Sequence, residues 1–108
     1  MRFFGLKSCD TCRKAIKSLQ ANGQAPQIID VRSDGVNETD RVAILNAFGD
    51  AAINRASTTW RGLAEDEKAA DPLDLLAAYP TLMKRPVIEK DGKLYLGWKQ
   101  EVQDALLG

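Results

Sequence analysis

Residues 1–23 read MRFFGLKSCDTCRKAIKSLQANG. Met1 to Gly5, with Phe3 and Phe4, is a short apolar run of strand type. Gly5 to Asp10 supplies a tight loop. From about Thr11 to Ala21, Cys12, Ala15, Ile16 and Leu19 recur at helical spacing and mark one apolar stripe. Asn22-Gly23 then stops the helix. Both cysteines of the chain lie at this strand-to-helix junction, as Cys9-Asp10-Thr11-Cys12.

Downstream, Pro26 to Val31 contains Ile28 and Ile29 and reads as a second strand. Strand, helix, strand is a βαβ unit with parallel pairing. Arg32 to Thr39 is a polar loop. Thr39 or Asp40 is expected to cap a helix with Val42, Leu45 and Phe48 on one face, ended by Gly49. Ala51 to Arg61 carries a weaker signal. Within it, Ser57-Thr58-Thr59 reads as a cap before a short turn at Trp60, Arg61 and Leu63. Asp71-Pro72 opens a helix that runs to about Tyr79. Val87 to Glu89 and Leu94 to Leu96 are β-type runs joined by Lys90 to Lys93, with Asp91-Gly92 at the turn. A final helix is expected to bury Val102, Ala105 and Leu106. The order βαβ, helices, ββα predicts an α/β chain with a mixed sheet.

The chain has 108 residues, 44% of them hydrophobic, which suits one domain over 1–108. Neither half could bury a core alone. Fifteen basic residues balance fifteen acidic ones, so direct nucleic-acid binding is not expected. Histidine is absent. That excludes a Ser-His-Asp triad, a Cys-His pair and any His-ligated metal. Two cysteines make half a zinc site, and no further Cys or His completes it, so no metal is expected. The N-terminus lacks a signal-peptide core, and no run reaches membrane-spanning length. A cytoplasmic monomer with no membrane partner is the expectation.

Cys9 precedes a helix N-terminus, where backbone N–H groups and the helix dipole favour a thiolate. Lys7, Arg13, Lys14 and Lys17 add positive charge, and Asp10 opposes it. Lys14 and Lys17 read rather as a solvated helix face. Only a thiolate attacks, so this setting suits a nucleophile. Two thiols so close can also form a disulfide with little movement. Cys12 has two readings: a partner thiol, or a small buried residue of the apolar stripe. Trp60, Tyr95 and Trp98 read as packing residues.

The element order, with Cys-x-x-Cys at the first strand–helix junction, resembles the thioredoxin-type fold. There, a proline opens the first hairpin strand. Pro86 sits at that place, and the likeness implies a cis Arg85–Pro86 bond near the thiol. Four segments resemble the ArsC/Spx family: Gly5 to Ala15, Ser57 to Arg61, Lys84 to Ile88 and Leu94 to Trp98. The second is most similar to the YffB-like branch. The resemblance implies a thioredoxin-like fold with a helical insertion at about 39–79.

It also implies a site. In the family's arsenate reductases a cysteine attacks the oxyanion, arginines hold it, and glutathione or a similar thiol resolves the intermediate. The matching nucleophile is Cys9 and the matching arginine is Arg85, with Cys12 as a third catalytic candidate. Lys7, Arg13, Arg61 and Pro86 are the substrate-binding candidates. Two family arginines are missing. One would fall on Ala56, with Arg55 one position early and Arg61 a turn further on; the other would fall near Gly97, beside Lys99. These gaps argue against tight arsenate binding. The expected function is a glutathione-dependent thiol or oxyanion reductase with no bound cofactor. Its partners would be glutathione or glutaredoxin and a small oxyanion or mixed disulfide. The alternative is an Spx-like regulator that binds the RNA polymerase α subunit, with Cys9 and Cys12 as its switch.

Overall fold

A computed structural model describes residues 1–108. The strands are β1 (Arg2–Gly5), β2 (Gln27–Asp30), β3 (Val87–Lys90) and β4 (Lys93–Leu96). The helices are α1 (Asp10–Ala21), α2 (Glu38–Phe48), α3 (Thr58–Arg61), α4 (Glu65–Lys68), α5 (Pro72–Ala78) and α6 (Gln100–Leu107). The sheet order is β2-β1-β3-β4. β1 pairs in parallel with β2 and antiparallel with β3, and β3 forms a hairpin with β4. The sheet is therefore mixed, as the element order implied. At the hairpin, Asp91 and Gly92 have φ of 53° and 78°. Two left-handed residues in succession match the right-handed twist of the flanking strands.

Side chains alternate across β1 and β3. Phe3 and Ile88 are paired and face one side; Phe4 and Val87 face the other. On the first face α1 and α6 enclose a core that includes Phe3, Cys12, Leu19, Ile88, Val102 and Leu106. On the second, α2, α5 and the turns beside them enclose a larger core around Phe4, Val31, Ile44, Leu75, Leu82 and Val87. Each fully buried side chain of this size contributes about 1.5–3 kcal/mol. Arg2 joins three elements, since its guanidinium holds both Asp40 of α2 and Glu89 of β3, each at 2.8 Å.

Three local expectations need correction. Asn37, not Thr39 or Asp40, caps α2, and its Oδ1 accepts the Asp40 N–H at 2.8 Å. Of the face expected for α2, Leu45 and Phe48 pack against the larger core, but Val42 is 38% exposed. Ile44, at 1%, is buried instead. Arg2 grips Asp40 and so fixes the rotation of α2. Ile44 and Phe48 follow Asp40 at four-residue steps and turn inward with it. In α6, Ala105 is exposed, whereas Val102 and Leu106, four apart, are buried. No helix is long and apolar enough to cross a membrane.

Candidate active site

Gly5 ends β1, and Cys9 is the N-cap of α1. The turn between them is closed by the Cys9 N–H, which donates to the Leu6 carbonyl at 3.1 Å. Arg13 N–H donates to the Cys9 carbonyl at 3.0 Å and starts the helix. Cys9 makes no side-chain cap, so its thiol is free to meet other groups. It is half-buried, and Cys12 is wholly buried at 0% exposure. Both are free thiols. Gly5 permits this close seat for α1. A Cβ there would lie 2.8 Å from Phe3 Cε1 and 3.0 Å from Cys12 Sγ.

Arg85 comes from the far end of the chain. Its Nη1 donates to the Thr81 carbonyl at 2.7 Å, and its Nε is buried with no partner. The peptide between Arg85 and Pro86 is cis. Pro86 is buried, and its carbonyl accepts the Gly97 N–H at 2.8 Å. Upstream, the Lys84 N–H donates to the Ala52 carbonyl at 2.7 Å, and the Asn54 N–H donates to the Leu82 carbonyl at 2.8 Å. This short ladder holds the approach to Arg85 rigid.

Burial pushes the Cys9 thiol up. The Cys12 backbone N–H, the Cys12 thiol and the Arg85 guanidinium outweigh it, and Cys9 lies below the ordinary cysteine value. Cys12 goes the other way, to about 12. Burial is the main cause, and charge on Cys9 adds to it, against the Leu6 backbone and Arg85. The pair therefore shares its protons unequally: Cys9 gives its proton up readily and Cys12 keeps its own. The basic residues of α1 are not among the causes of the Cys9 shift. Arg13 is tied to Asp10 in an exposed ion pair, and Lys14 and Lys17 are exposed.

The structure thus brings Cys9, Cys12 and Arg85 together, with Pro86 next to Arg85 across the cis bond. Lys7 and Arg13 line a neighbouring cavity with Leu6 and Ile28. Arg61 is not drawn in: it is exposed, and its Nη2 donates to the Ala56 carbonyl of its own turn at 3.1 Å. Arg55 does not replace the missing arginine either. It pairs with Asp50 at 3.4 Å and lies over the Trp60 ring at 5.2 Å. Lys99 is the exposed N-cap residue of α6. Trp60 is half-buried against the larger core, and Tyr95 and Trp98 against the smaller one.

Sequence reasoning missed two supporting groups. Thr81 receives Arg85 on its carbonyl, and its hydroxyl meets the Thr59 hydroxyl at 3.2 Å. Nothing local signals that contact, because the two threonines are far apart in sequence. Asp30, at the end of β2, accepts the N–H groups of Ser33, Arg32 and Lys7. The Ser33 N–H chiefly holds its carboxyl below the usual range. Asp30 followed, after Val31, by Arg32, Ser33, Asp34 and Gly35 is a turn signal that could have revealed it.

Comparison with known proteins agrees with this architecture. Residues 4–106 match the ArsC family. An uncharacterized protein of Haemophilus influenzae is 37% identical over 107 residues, covering 94% of each chain. The solved structure of the YFFB (PA3664) protein superposes with a TM-score of 0.91 at 31% identity, covering 99% of this chain and 98% of that one. A solution structure of an arsenate reductase (ArsC) related protein from Brucella melitensis has a TM-score of 0.73 at 35% identity, covering 96% and 91%. With agreement in sequence and backbone along nearly its whole length, this chain belongs to the ArsC family.

Proposed function

We propose that the chain is a glutathione-dependent reductase acting on mixed disulfides in preference to arsenate, with Cys9 as its nucleophile. The observation that carries this reading is the meeting of Arg85 and the neutral, buried Cys12 at one half-buried thiol. Cys9 thiolate attacks the glutathionyl sulfur of the mixed disulfide. A Cys9–S–S bond forms, the substrate disulfide breaks, and the departing thiolate takes the electron pair. Cys12 is enclosed and protonated, so it does not resolve the adduct. A glutathione thiolate does, regenerating Cys9 and leaving glutathione disulfide. Arsenate is disfavoured because Arg85 is the only family arginine in the cluster, while Arg55 and Arg61 are engaged elsewhere. A Cys9–Cys12 disulfide switch controlling the polymerase α subunit needs Cys12 to give up its proton, and a Cys12 thiol pushed up to about 12 favours the reductase.

The test follows NADPH consumption through glutathione and glutathione reductase, with a glutathione mixed disulfide or arsenate as substrate. Turnover is expected with the mixed disulfide, retained in Cys12→Ala and reduced to background in Cys9→Ser. A Cys9 that alkylates no faster than free cysteine at pH 7 sinks the proposal. The pH dependence has a definite sign. Because the Cys9 thiol is lowered, its alkylation by iodoacetamide persists below the pH at which free cysteine loses reactivity. Arg85→Ala removes a positive charge, so the profile moves to higher pH and the rate at pH 6 falls several-fold. An unmoved profile would remove Arg85 from the mechanism.

A further inference from the structure

Beside the Cys9 turn, α1 and β2 leave an open-sided cavity of about 300 Å³. Phe3, Leu6, Ile16 and Ile28 line it, and its surface is almost wholly apolar. Ile28 is 45% exposed. A single exposed isoleucine is ordinary. Here it is one of only two large apolar side chains left so open, and the other, Val42, lies on α2. The cavity wall begins at Leu6, whose carbonyl holds the Cys9 N–H. Cys9 itself is not in the lining, but apolar surface is left open on the turn that leads into it.

We propose, building on the reductase reading above, that this cavity receives the aromatic half of a mixed-disulfide substrate whose ring carries a carboxylate. Size supports one ring, since an apolar cavity of about 150 Å³ takes benzene, and twice that admits a substituted ring. Charge supports a single anionic group. Lys7 and Arg13 are the cations of the lining, and Arg13 is already paired with Asp10. Asp30 also lines the cavity; its ionised carboxylate accepts the N–H groups of Lys7, Arg32 and Ser33, so the lining sets two cations against one anion and has one positive charge in excess. Lys7 is exposed and makes no ion pair, so its ammonium is the uncommitted charge at the opening. Chemistry supports the aromatic half as the one expelled. Cys9 attacks the other sulfur, the disulfide breaks, and the aryl sulfur leaves as a thiolate, which a low thiol pKa makes a fast leaving group. Glutathione then reduces the adduct left on Cys9.

The test compares three disulfides: 5,5′-dithiobis(2-nitrobenzoate), 4,4′-dithiodipyridine and bis(2-hydroxyethyl) disulfide. Each rate with Cys9 is divided by the rate of glutathione with the same reagent, which cancels intrinsic reactivity. The nitrobenzoate reagent is expected to exceed the hydroxyethyl one by tenfold or more on this scale, with the dipyridine between them. Ile28→Glu, at an exposed position, should cut that excess at least fivefold. Equal normalised rates for all three reagents, with Cys9 still reactive to iodoacetamide, overturn the cavity and spare the reductase reading. A second measurement needs no reactive thiol. Titrating Cys9→Ser with 2-nitrobenzoate should shift the methyl resonances of Ile16 and Ile28 but not that of Ile44. Absence of those shifts overturns the proposal whatever Cys9 does.

Discussion

The two faces of the sheet differ in depth. On one, α1 and α6 close over seven buried residues; on the other, the segment between β2 and β3 closes over twelve. The shallow face contributes Cys9, the proposed nucleophile, at the start of α1. The deep face contributes the cation, through the Thr81 carbonyl that holds Arg85. Cys9 packs against both cores. The site therefore lies on a seam, and its chemistry depends on two separately built halves staying in register. Damage to either face should reach Cys9, but by different routes.

The largest expected effect is on the deep face. Leu82 is fully buried in the 3₁₀ turn Pro80–Leu82 that presents Thr81. Leu82→Ala should cost about 2–5 kcal/mol in urea unfolding, and it should slow Cys9 alkylation at pH 6 by loosening Arg85. Lost stability with unchanged alkylation would show that the deep face does not govern the cation. On the shallow face, Gly5→Ala forces a methyl against Phe3 and Cys12. Overpacking of that kind costs about 1–3 kcal/mol, and the displaced α1 should alter Cys9 reactivity at every pH. A variant as stable and reactive as the parent would mean that α1 is not seated by Gly5. The smallest effect concerns the brace between α3 and the Arg85 turn. Thr59→Val removes one hydroxyl pair and should cost about 0.5–1.5 kcal/mol. The Thr59→Val, Thr81→Val double variant should then cost little more than either single change. Additive losses would mean that the two hydroxyls act independently.

The shallow face was the legible one. Phe3, Cys12, Ala15 and Leu19 announce themselves through period-2 and period-3.6 spacing, and Asp91-Gly92 marks the hairpin. The deep face was harder to read. Val42, Ala43, Ile44 and Leu45 are consecutive and apolar, so no phase of α2 stands out; the Arg2–Asp40 pair decides it from outside the helix. Residues 49–70 form short turns whose pairing, such as Ile53 with Met83, depends on distant partners. The same contrast holds for the site. Cys9 and Cys12 are conspicuous as a close pair, whereas Thr81 acts through a backbone oxygen that any residue could supply.

The pairing of β1 with β3 has a consequence for the timing of reactivity. A ribosome delivers Cys9 and Cys12 long before Arg85. Local contacts form α1 early, but a strand pair separated by most of the chain closes late. Until it does, Cys12 has no core to hide in and no guanidinium stands near Cys9. Cys12 is then an ordinary exposed thiol, mostly protonated at neutral pH. The Cys12 N–H reaches Cys9 as soon as α1 forms, but the share of the thiolate's stabilisation that Arg85 supplies arrives only when the sheet closes.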